Sequence, residues 1–223
     1  MATVRWKDKA TLIALAGTER IPATSMDGGD KDGGGSVLAG EDIYISLADL
    51  KAYILDGAGV GTGAPWSLFF RPGDYEPPAS NYATIDQRNN RPTLDFDDTT
   101  QEATVFSGVL PAGYAGGGVT ITIFCSLTSA VSGTVGWDVA FERTQAGTDD
   151  IDSDSFAAAK TVTAVTVPGT SGQVLAMSVN VANGAEMDNL AAGELFRLRV
   201  RRDVASDTAT GDAELLAVSI KEQ

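Results

Sequence analysis

Three arginines at alternate positions are the residues whose spacing points most directly to a binding role. Arg197, Arg199 and Arg201 occupy every second position of one segment, so a β-strand would place all three guanidinium groups on one face. Such a group in an otherwise acidic chain suits an anion, a sialic-acid-like glycan or an acidic partner. Alternatively, carboxylates on adjacent strands or neighbouring subunits pair with the three arginines, because like charges on one face usually need such partners. The sequence leaves both interpretations open.

A dense acidic segment raises the question of a metal site. Alternating carboxylates on a loop can wrap a calcium ion, and Asp150, Asp152 and Asp154 follow that pattern. The segment lacks the sharp-turn glycine and the distal glutamate of a calcium-binding helix-loop-helix. We therefore expect a solvated acidic loop and no metal or other cofactor, and if a cation were bound these three residues would be its ligands.

The composition excludes several classes of activity. The 223 residues include no histidine and a single cysteine, Cys125, which excludes Ser-His-Asp and Cys-His catalysis, histidine-based zinc sites and an intrachain disulfide. The formal net charge of -14 disfavours nucleic acid and anionic lipid as partners. The uncharged stretch 103–137 is broken by proline and glycines, so we expect no membrane span. Asp138 and Glu142 could serve as the carboxylate pair of a glycosidase, but nothing distinguishes them from ordinary strand-surface charges. We expect no enzyme activity.

Aromatic residues precede the region of regular strands. Trp66, Tyr75 and Tyr82, together with Phe69 and Phe70, lie in a stretch rich in Gly, Pro and Asn. If exposed, they could stack on sugar rings, and if buried, they would seal the end of a sandwich or a subunit interface. The interpretation favoured by their apolar character is burial.

The elements that would position these residues fall into three zones. Residues 1–56 form a first zone, residues 57–92 a Gly/Pro-rich linker and irregular region, and residues 93–223 a region of strands. In the first zone a strand is expected from Asp42 to Ile45, and Ser46 is a fitting N-cap for the segment that follows it. That segment has apolar residues at helical spacing, which predicts a short amphipathic helix that needs a partner surface: Leu47, Leu50, Tyr53 and Ile54.

The third zone carries period-two patterns typical of half-buried strands. About eight short strands bounded by turn residues predict a two-sheet antiparallel sandwich. The side chains predicted to face its interior include Val119, Ile121 and Ile123; Val135, Trp137, Val139 and Phe141; Phe196, Leu198 and Val200; and Leu216, Val218 and Ile220.

Two segments carry a resemblance to a family. Residues 14–24 (ALAGTERIPAT) and 42–54 (DIYISLADLKAYI) resemble the virion-attachment segments of tailed-bacteriophage fibre and head-decoration proteins. Residues 188–203 (DNLAAGELFRLRVRRD) and 211–220 (GDAELLAVSI) are similar to the closing strands of jelly-roll modules in the same kinds of protein. The four quoted segments together make up 50 of the 223 residues.

The resemblance implies an all-β protein, an antiparallel jelly-roll sandwich with a small α+β N-terminal attachment segment. It implies a non-catalytic homotrimer on the virion surface, made in the host cytoplasm. Such a protein would be a capsid decoration (cement) or head-fibre protein, attached to the major capsid protein or another virion protein through Leu47, Leu50, Tyr53 and Ile54. One alternative is a short tail fibre that recognises host surface glycan, and another is a free module that binds or cleaves glycan. The glycan or subunit contacts would then come from the arginines and from Trp66, Tyr75 and Tyr82.

Overall fold

The chain divides into two compact units, Met1–Ala64 and Pro65–Gln223. The computed structural model describes residues 66–223 in full and, before them, the backbone of four short strands. In the first unit, β1 (Arg20–Thr24) pairs antiparallel with β4 (Asp42–Ser46), and β2 (Asp30–Lys31) with β3 (Gly35–Ser36). The strand predicted from Asp42 is thus confirmed. The helix predicted to present Leu47, Leu50, Tyr53 and Ile54 lies outside the described residues.

The second unit is built from antiparallel strands. In chain order they are β5 (Ser67–Phe70), β6 (Thr84–Arg88), β7 (Arg91–Phe96), β8 (Ala103–Val109), β9 (Val119–Leu127), β10 (Thr134–Thr144), β11 (Lys160–Thr166), β12 (Leu175–Val181), β13 (Leu195–Arg202) and β14 (Ala213–Glu222). The helical elements of residues 66–223 are two short 3₁₀ turns, Pro72–Asp74 and Ala185–Met187. The second turn lies between β12 and β13. In the part of the chain that the structure describes, no helix is long and apolar enough to cross a membrane.

The strands form two sheets with jelly-roll topology. The first sheet has the order β11-β10-β13-β8 and the second the order β12-β9-β14-β7-β6, with β5 paired to the other half of β14. Among β7 to β14 the first strand pairs with the last, the second with the seventh, the third with the sixth and the fourth with the fifth. This nested antiparallel pairing, rolled into two packed sheets, is a jelly roll. The fold class predicted for this unit is confirmed.

The core lies between the two sheets, where alternate side chains of each strand meet. Trp137 is fully buried and packs edge-to-face on Phe96, with ring centroids 4.8 Å apart. Cys125 is buried in the same core, and burial raises the pKa of its thiol to about 12. The inward positions predicted on β9, β10 and β13 are all buried. The alternation of residue types therefore identified the inner faces of these three strands.

One inward position was predicted wrongly. Leu216 is only half-buried, whereas its neighbour Leu215 is fully buried and lies opposite Cys125. The register of β14 against β9 shifts between Leu215 and Ala217, because a β-bulge inserts one extra residue there. The bulge reverses the side-chain alternation within the strand, so the pattern that fits Val218 and Ile220 does not extend back to Leu216.

The second sheet also draws strands from the stretch 57–92. β5 and β6 lie within it, and β7 begins at Arg91. β6 is an edge strand whose residues are almost all exposed, so its sequence carries no strong apolar alternation. The composition predicted a linker and irregular structure for this stretch. It did not reveal these strands because short edge strands need few apolar residues.

Candidate ligand-binding face

The three arginines lie on the outer side of the first sheet. Arg197, Arg199 and Arg201 alternate along β13 with the buried Phe196, Leu198 and Val200. We call the outer side of β8, β13 and β10 the arginine face. Its residues form rows across the sheet, in which each arginine has one neighbour on β10 and one on β8.

The two outer arginines are paired with carboxylates of β10. Arg201 lies opposite Asp138, and its Nε and Nη2 donate to the two carboxylate oxygens at 2.7–3.1 Å. Arg197 lies opposite Glu142, and its Nη1 donates to Oε2 at 2.9 Å. Asp138 and Glu142 are each only 5% exposed. Burial raises the pKa of Glu142, and the charge of Arg197 opposes that rise. Arg197 and Arg201 therefore pair with carboxylates across the strands, as the alternative interpretation of the arginine pattern predicted.

Arg199 differs from its two neighbours because its row contains no acid on the adjacent strands. It lies opposite Ala140 of β10 and Val105 of β8. No carboxylate of residues 66–223 forms an ion pair with it, and its Nε is buried without a hydrogen-bond acceptor among them. Burial lowers the pKa of Arg199, and the charge of Arg201 adds to the effect. The site thus holds one partly desolvated guanidinium that lacks an anionic partner within the described residues.

An aromatic ring covers this guanidinium. Phe156 belongs to the β10–β11 loop, and its ring centroid lies 4.8 Å from Cζ of Arg199 and 5.3 Å from Cζ of Arg197. The loop is fixed to β10, since the backbone N–H of Ala157 donates to the carbonyl of Phe141 at 2.7 Å. A cation over an aromatic face is attracted by the ring quadrupole. Phe156 therefore packs on the Arg199 guanidinium, and the Arg199 side chain remains partly exposed.

An apolar row lies at one end of the arginine face, beyond the three rows that hold the arginines. Val105, beside Arg199, is covered, whereas Val109 and Leu195 form a cross-strand pair at the end of the face and are 50% and 51% exposed. A pyranose ring combines C–H faces with hydroxyl or carboxylate edges, so a face that combines arginines with an exposed apolar pair matches its chemistry.

The acidic loop is arranged around its own backbone. Oδ1 of Asp150 accepts a hydrogen bond from the N–H of Asp152 at 3.1 Å, and Oδ1 of Asp154 accepts one from the N–H of Ser155 at 2.8 Å. Within the described residues, no group of three or more histidine, cysteine, aspartate or glutamate side chains is placed to hold a metal ion. The carboxylates of Asp150 and Asp154 therefore bond to the backbone of the loop that carries Phe156. Asp150, Asp152 and Asp154 are not placed together as metal ligands.

The predicted aromatic contacts are dispersed. Trp66 and Tyr75 are partly buried against the core, and Trp66 packs edge-to-face on Tyr114 with centroids 6.1 Å apart. Tyr82 is 48% exposed and bridges to Ala103 of β8, one strand further out than Arg201. Of the three, only Tyr82 lies beside the arginine face. Burial, the interpretation favoured for these residues, holds in part for Trp66 and Tyr75 and not for Tyr82.

The glycosidase pair considered in the sequence does not have the required geometry. Asp138 and Glu142 are four residues apart on one strand, which separates their Cα atoms by about 13 Å. Two-carboxylate hydrolysis needs the carboxyl groups about 5–9.5 Å apart with one of them free to donate a proton. Both carboxylates are instead held by arginines.

Sequence reasoning missed Phe156 and the special position of Arg199. The sequence did contain a signal for the position of Arg199, because Asp138 and Glu142 have the same four-residue spacing as Arg197 and Arg201. An antiparallel pairing of the two strands satisfies both ion pairs and leaves the central arginine opposite Ala140. For Phe156 we find no sequence signal, since it stands alone in a polar loop.

The architecture and this face define the class of the second unit as a jelly-roll sandwich with a charged and apolar outer surface. No family model matches the chain, and no curated protein matches its sequence.

Solved structures with a similar fold include carbohydrate-binding modules. The xylan-binding domain CBM22-2 of Paenibacillus barcinonensis Xyn10C is 12% identical, with a TM-score of 0.43, covering 71% of this chain and 99% of that one. The module CBM35 of Cellvibrio japonicus Abf62 is 11% identical, with a TM-score of 0.39 and coverages of 70% and 92%. The xylan-binding module CBM15 is 9% identical, with a TM-score of 0.40 and coverages of 71% and 97%. At these identities the function of this chain has to be inferred from its own side chains.

Proposed function

We propose that the second unit is a non-catalytic module that binds carbohydrate carrying carboxylate groups, such as uronic or sialic acid residues, on the arginine face. The observation that carries the proposal is Arg199, which is partly desolvated, covered by Phe156 and without an anionic partner within residues 66–223. A guanidinium binds a carboxylate through two parallel hydrogen bonds, and such bonds are stronger away from water.

The neighbours of Arg199 favour a single, well-defined contact. Arg201 is paired with Asp138, and Arg197 is paired with Glu142 and lies 3.8 Å from a carboxylate oxygen of Glu76, so Arg199 is the arginine of this face that has no ion-pair partner within residues 66–223. A carboxylate placed there would avoid the paired acids and meet a side chain already fixed by Phe156. Binding to a group held in place costs less conformational entropy than binding to a mobile arginine.

Carbohydrate is a better match than other anionic ligands. The net charge of -14 repels nucleic acids and anionic membranes at a distance, and a single arginine without an ion-pair partner among residues 66–223 cannot offset it. An acidic sugar brings a single carboxylate together with apolar ring faces, which the exposed pair Val109 and Leu195 can contact.

The test compares acidic and neutral versions of the same sugar by titration calorimetry on the full chain. Sialyllactose is paired with lactose, and hexagalacturonate with its methyl ester. We expect only the acidic members to bind, and we expect Arg199→Ala to weaken binding by about 10- to 150-fold, since hydrogen bonds to charged groups contribute about 1.5–3 kcal/mol. Arg199→Lys should restore only part of the affinity, because an ammonium lacks the planar fork.

The matched control is Arg91→Ala, an exposed arginine on β7 of the second sheet, which should leave affinity unchanged. Equal binding of the acid and its neutral partner would contradict the proposal. Unchanged affinity in Arg199→Ala would contradict it as well.

For the chain as a whole, we propose a homotrimeric virion surface protein made in the host cytoplasm, in which the first unit attaches to the particle and the second contacts host glycan. The resemblance of residues 14–24 and 42–54 to phage attachment segments supports this, and so does the division of the chain at residue 64. A capsid decoration or head-fibre role is the second candidate, favoured by the same segments.

Two measurements test this placement. Leu50→Asp should abolish attachment to particles while leaving the jelly roll folded, because it inserts a charge into the apolar face of the predicted helix. Light scattering should give the mass of a trimer. A Leu50→Asp protein that still decorates particles would refute the attachment role, and a monomeric mass for the full chain would refute the trimer. A full chain that attaches to particles but does not bind acidic glycan would favour the decoration role.

A further inference from the structure

A cleft of about 340 Å³ lies at one end of the second unit, between the β8–β9 loop and the β12–β13 loop. Its volume is at the lower end of the range typical of small-molecule sites, about 300–1,000 Å³. The lining residues are Tyr114, Ala115, Gly116, Asn183, Gly184, Asn189, Leu190, Ala191 and Ala192. They contain no ionisable carboxylate or cationic side chain, although the chain carries a net charge of -14. The cleft is therefore suited to an uncharged ligand.

Two amides and a phenol supply its polar chemistry. Oδ1 of Asn183 lies 3.2 Å from the hydroxyl of Tyr114. Within residues 66–223, neither Nδ2 of Asn183 nor the side-chain amide of Asn189 forms a hydrogen bond, whereas the backbone N–H of Asn189 donates to the carbonyl of Gly184 at 2.8 Å. An amide offers a donor pair and an acceptor side by side, so it can bond to two neighbouring hydroxyl groups of one ligand. Asn183 and Asn189 thus present unused donors and acceptors at the cleft.

Tyr114 is held as a hydrogen-bond donor. Its hydroxyl accepts the N–H of Gly118 at 2.9 Å, and its own proton has two acceptors within reach, Asn183 Oδ1 and the Met187 sulfur at 3.4 Å. Burial raises the pKa of the phenol, so it stays protonated at neutral pH. A ligand hydroxyl could take over Asn183 Oδ1 while the Tyr114 proton turns to Met187, which would leave no buried donor unpaired.

The backbone that carries Asn189 is held in a sparsely populated conformation. Asp188 and Asn189 are consecutive left-handed residues with φ of 56° and 54°, a conformation that non-glycine residues adopt infrequently. The carboxylate of Asp188 accepts the N–H of Arg143 at 2.8 Å, which fixes this corner to β10. The placement of Asn189 is therefore imposed by the surrounding structure.

From this geometry we infer that the cleft binds one neutral sugar residue through Tyr114, Asn183 and Asn189. The site is distinct from the arginine face and does not depend on Arg199. The two loops continue directly into Val109 and Leu195 at the apolar end of that face, so a glycan could contact both sites.

The test uses ¹⁵N-labelled full chain and records amide shifts on addition of glucose, galactose, mannose and xylohexaose. We expect at least one of these neutral sugars to shift the side-chain amides of Asn183 and Asn189 together with backbone signals of residues 114–118 and 183–192. Asn189→Gly keeps the left-handed backbone accessible and removes the side chain with its amide group. We expect it to weaken binding at least tenfold.

The matched control is Asn180→Ala, whose amide oxygen accepts a hydrogen bond from Thr120 on the second sheet and which should bind as the native chain does. Arg199→Ala should also bind neutral sugar normally, which separates this inference from the proposed function of the arginine face. The inference is overturned if none of the four sugars produces a response, if the shifts map away from the two loops, or if Asn189→Gly binds with native affinity.

Discussion

Arg202→Met tests how a buried charge holds the jelly roll together. Arg202 points to the inner side of β13, opposite to the arginine face, and is fully buried. Its Nε donates to the buried Asp207 at 2.7 Å, and its two terminal nitrogens donate to the carbonyls of Phe96, Gly211 and Ala209 at 2.8–3.0 Å. One side chain thereby joins the β13–β14 loop to the end of β7.

Methionine fills a similar volume but donates no hydrogen bond. The substitution leaves one buried carboxylate and three carbonyls without the donors they have now. Removing one partner of a buried ion pair typically costs about 3–5 kcal/mol, a large fraction of the 5–15 kcal/mol that stabilises an ordinary domain. We expect a loss of that size in guanidinium unfolding followed by near-UV circular dichroism, which reports the packing of Trp137.

A second substitution identifies the cause of that loss. Asp207→Asn removes the orphaned charge, so the double variant should be about 1–2 kcal/mol more stable than Arg202→Met alone. Arg91→Met, at an exposed position, should change stability by no more than about 0.5 kcal/mol. A loss below about 1 kcal/mol for Arg202→Met would refute the reasoning, and so would a double variant less stable than the single one.

Two further predictions concern packing and pH. A Cβ on Gly108 would lie 2.8 Å from Cζ of Phe196, so Gly108→Ala should lower the free energy of unfolding by about 1–3 kcal/mol through overpacking. The control is Gly73→Ala, because nothing lies within 4 Å of a Cβ at that position. Equal melting temperatures for the two variants would contradict the packing described. Burial raises the pKa of Asp95 to about 6, above the value of about 3.9 in an unfolded chain, so its ionised form opposes folding above about pH 6 and this cost disappears as the pH falls to about 4. Asp95→Asn should therefore stabilise the protein at pH 8, by about 1 kcal/mol after allowance for solvent screening, and should give no gain in stability at pH 4. The control Asp152→Asn, in the exposed loop, should leave the stability unchanged at both pH values. A gain that is the same at both pH values would show that the charge of Asp95 is not its cause.

The sequence by itself determined strands within residues 103–223 and the inner faces of β9, β10 and β13. Apolar and polar residues alternate with the two-residue period at which side chains alternate between the two faces of a strand. The inner face of each sheet is shielded from water, and the outer face is in contact with it. For this reason Ile121, Trp137 and Leu198 could be assigned to the core before any pairing was known. The same periodicity placed three arginines on one outer face.

The tertiary structure decided which of those arginines is available. Carboxylates fall opposite Arg197 and Arg201, and Ala140 falls opposite Arg199, only because β10 and β13 pair in one particular register. Register depends on contacts between segments about sixty residues apart, which no local pattern specifies. The bulge that turns Leu216 outward is likewise a property of the pairing and not of the strand alone.

The cleft and the cover over Arg199 depend on loops. Phe156, Tyr114 and Asn189 come from three separate connections, and their positions follow from backbone hydrogen bonds and left-handed residues that carry no periodic signal. The sequence thus determined an acidic, histidine-free jelly roll with arginines on one face. The chemistry at each site was decided by long-range pairing and loop geometry, because strand periodicity encodes which side of a sheet a residue faces and not which residue it meets there.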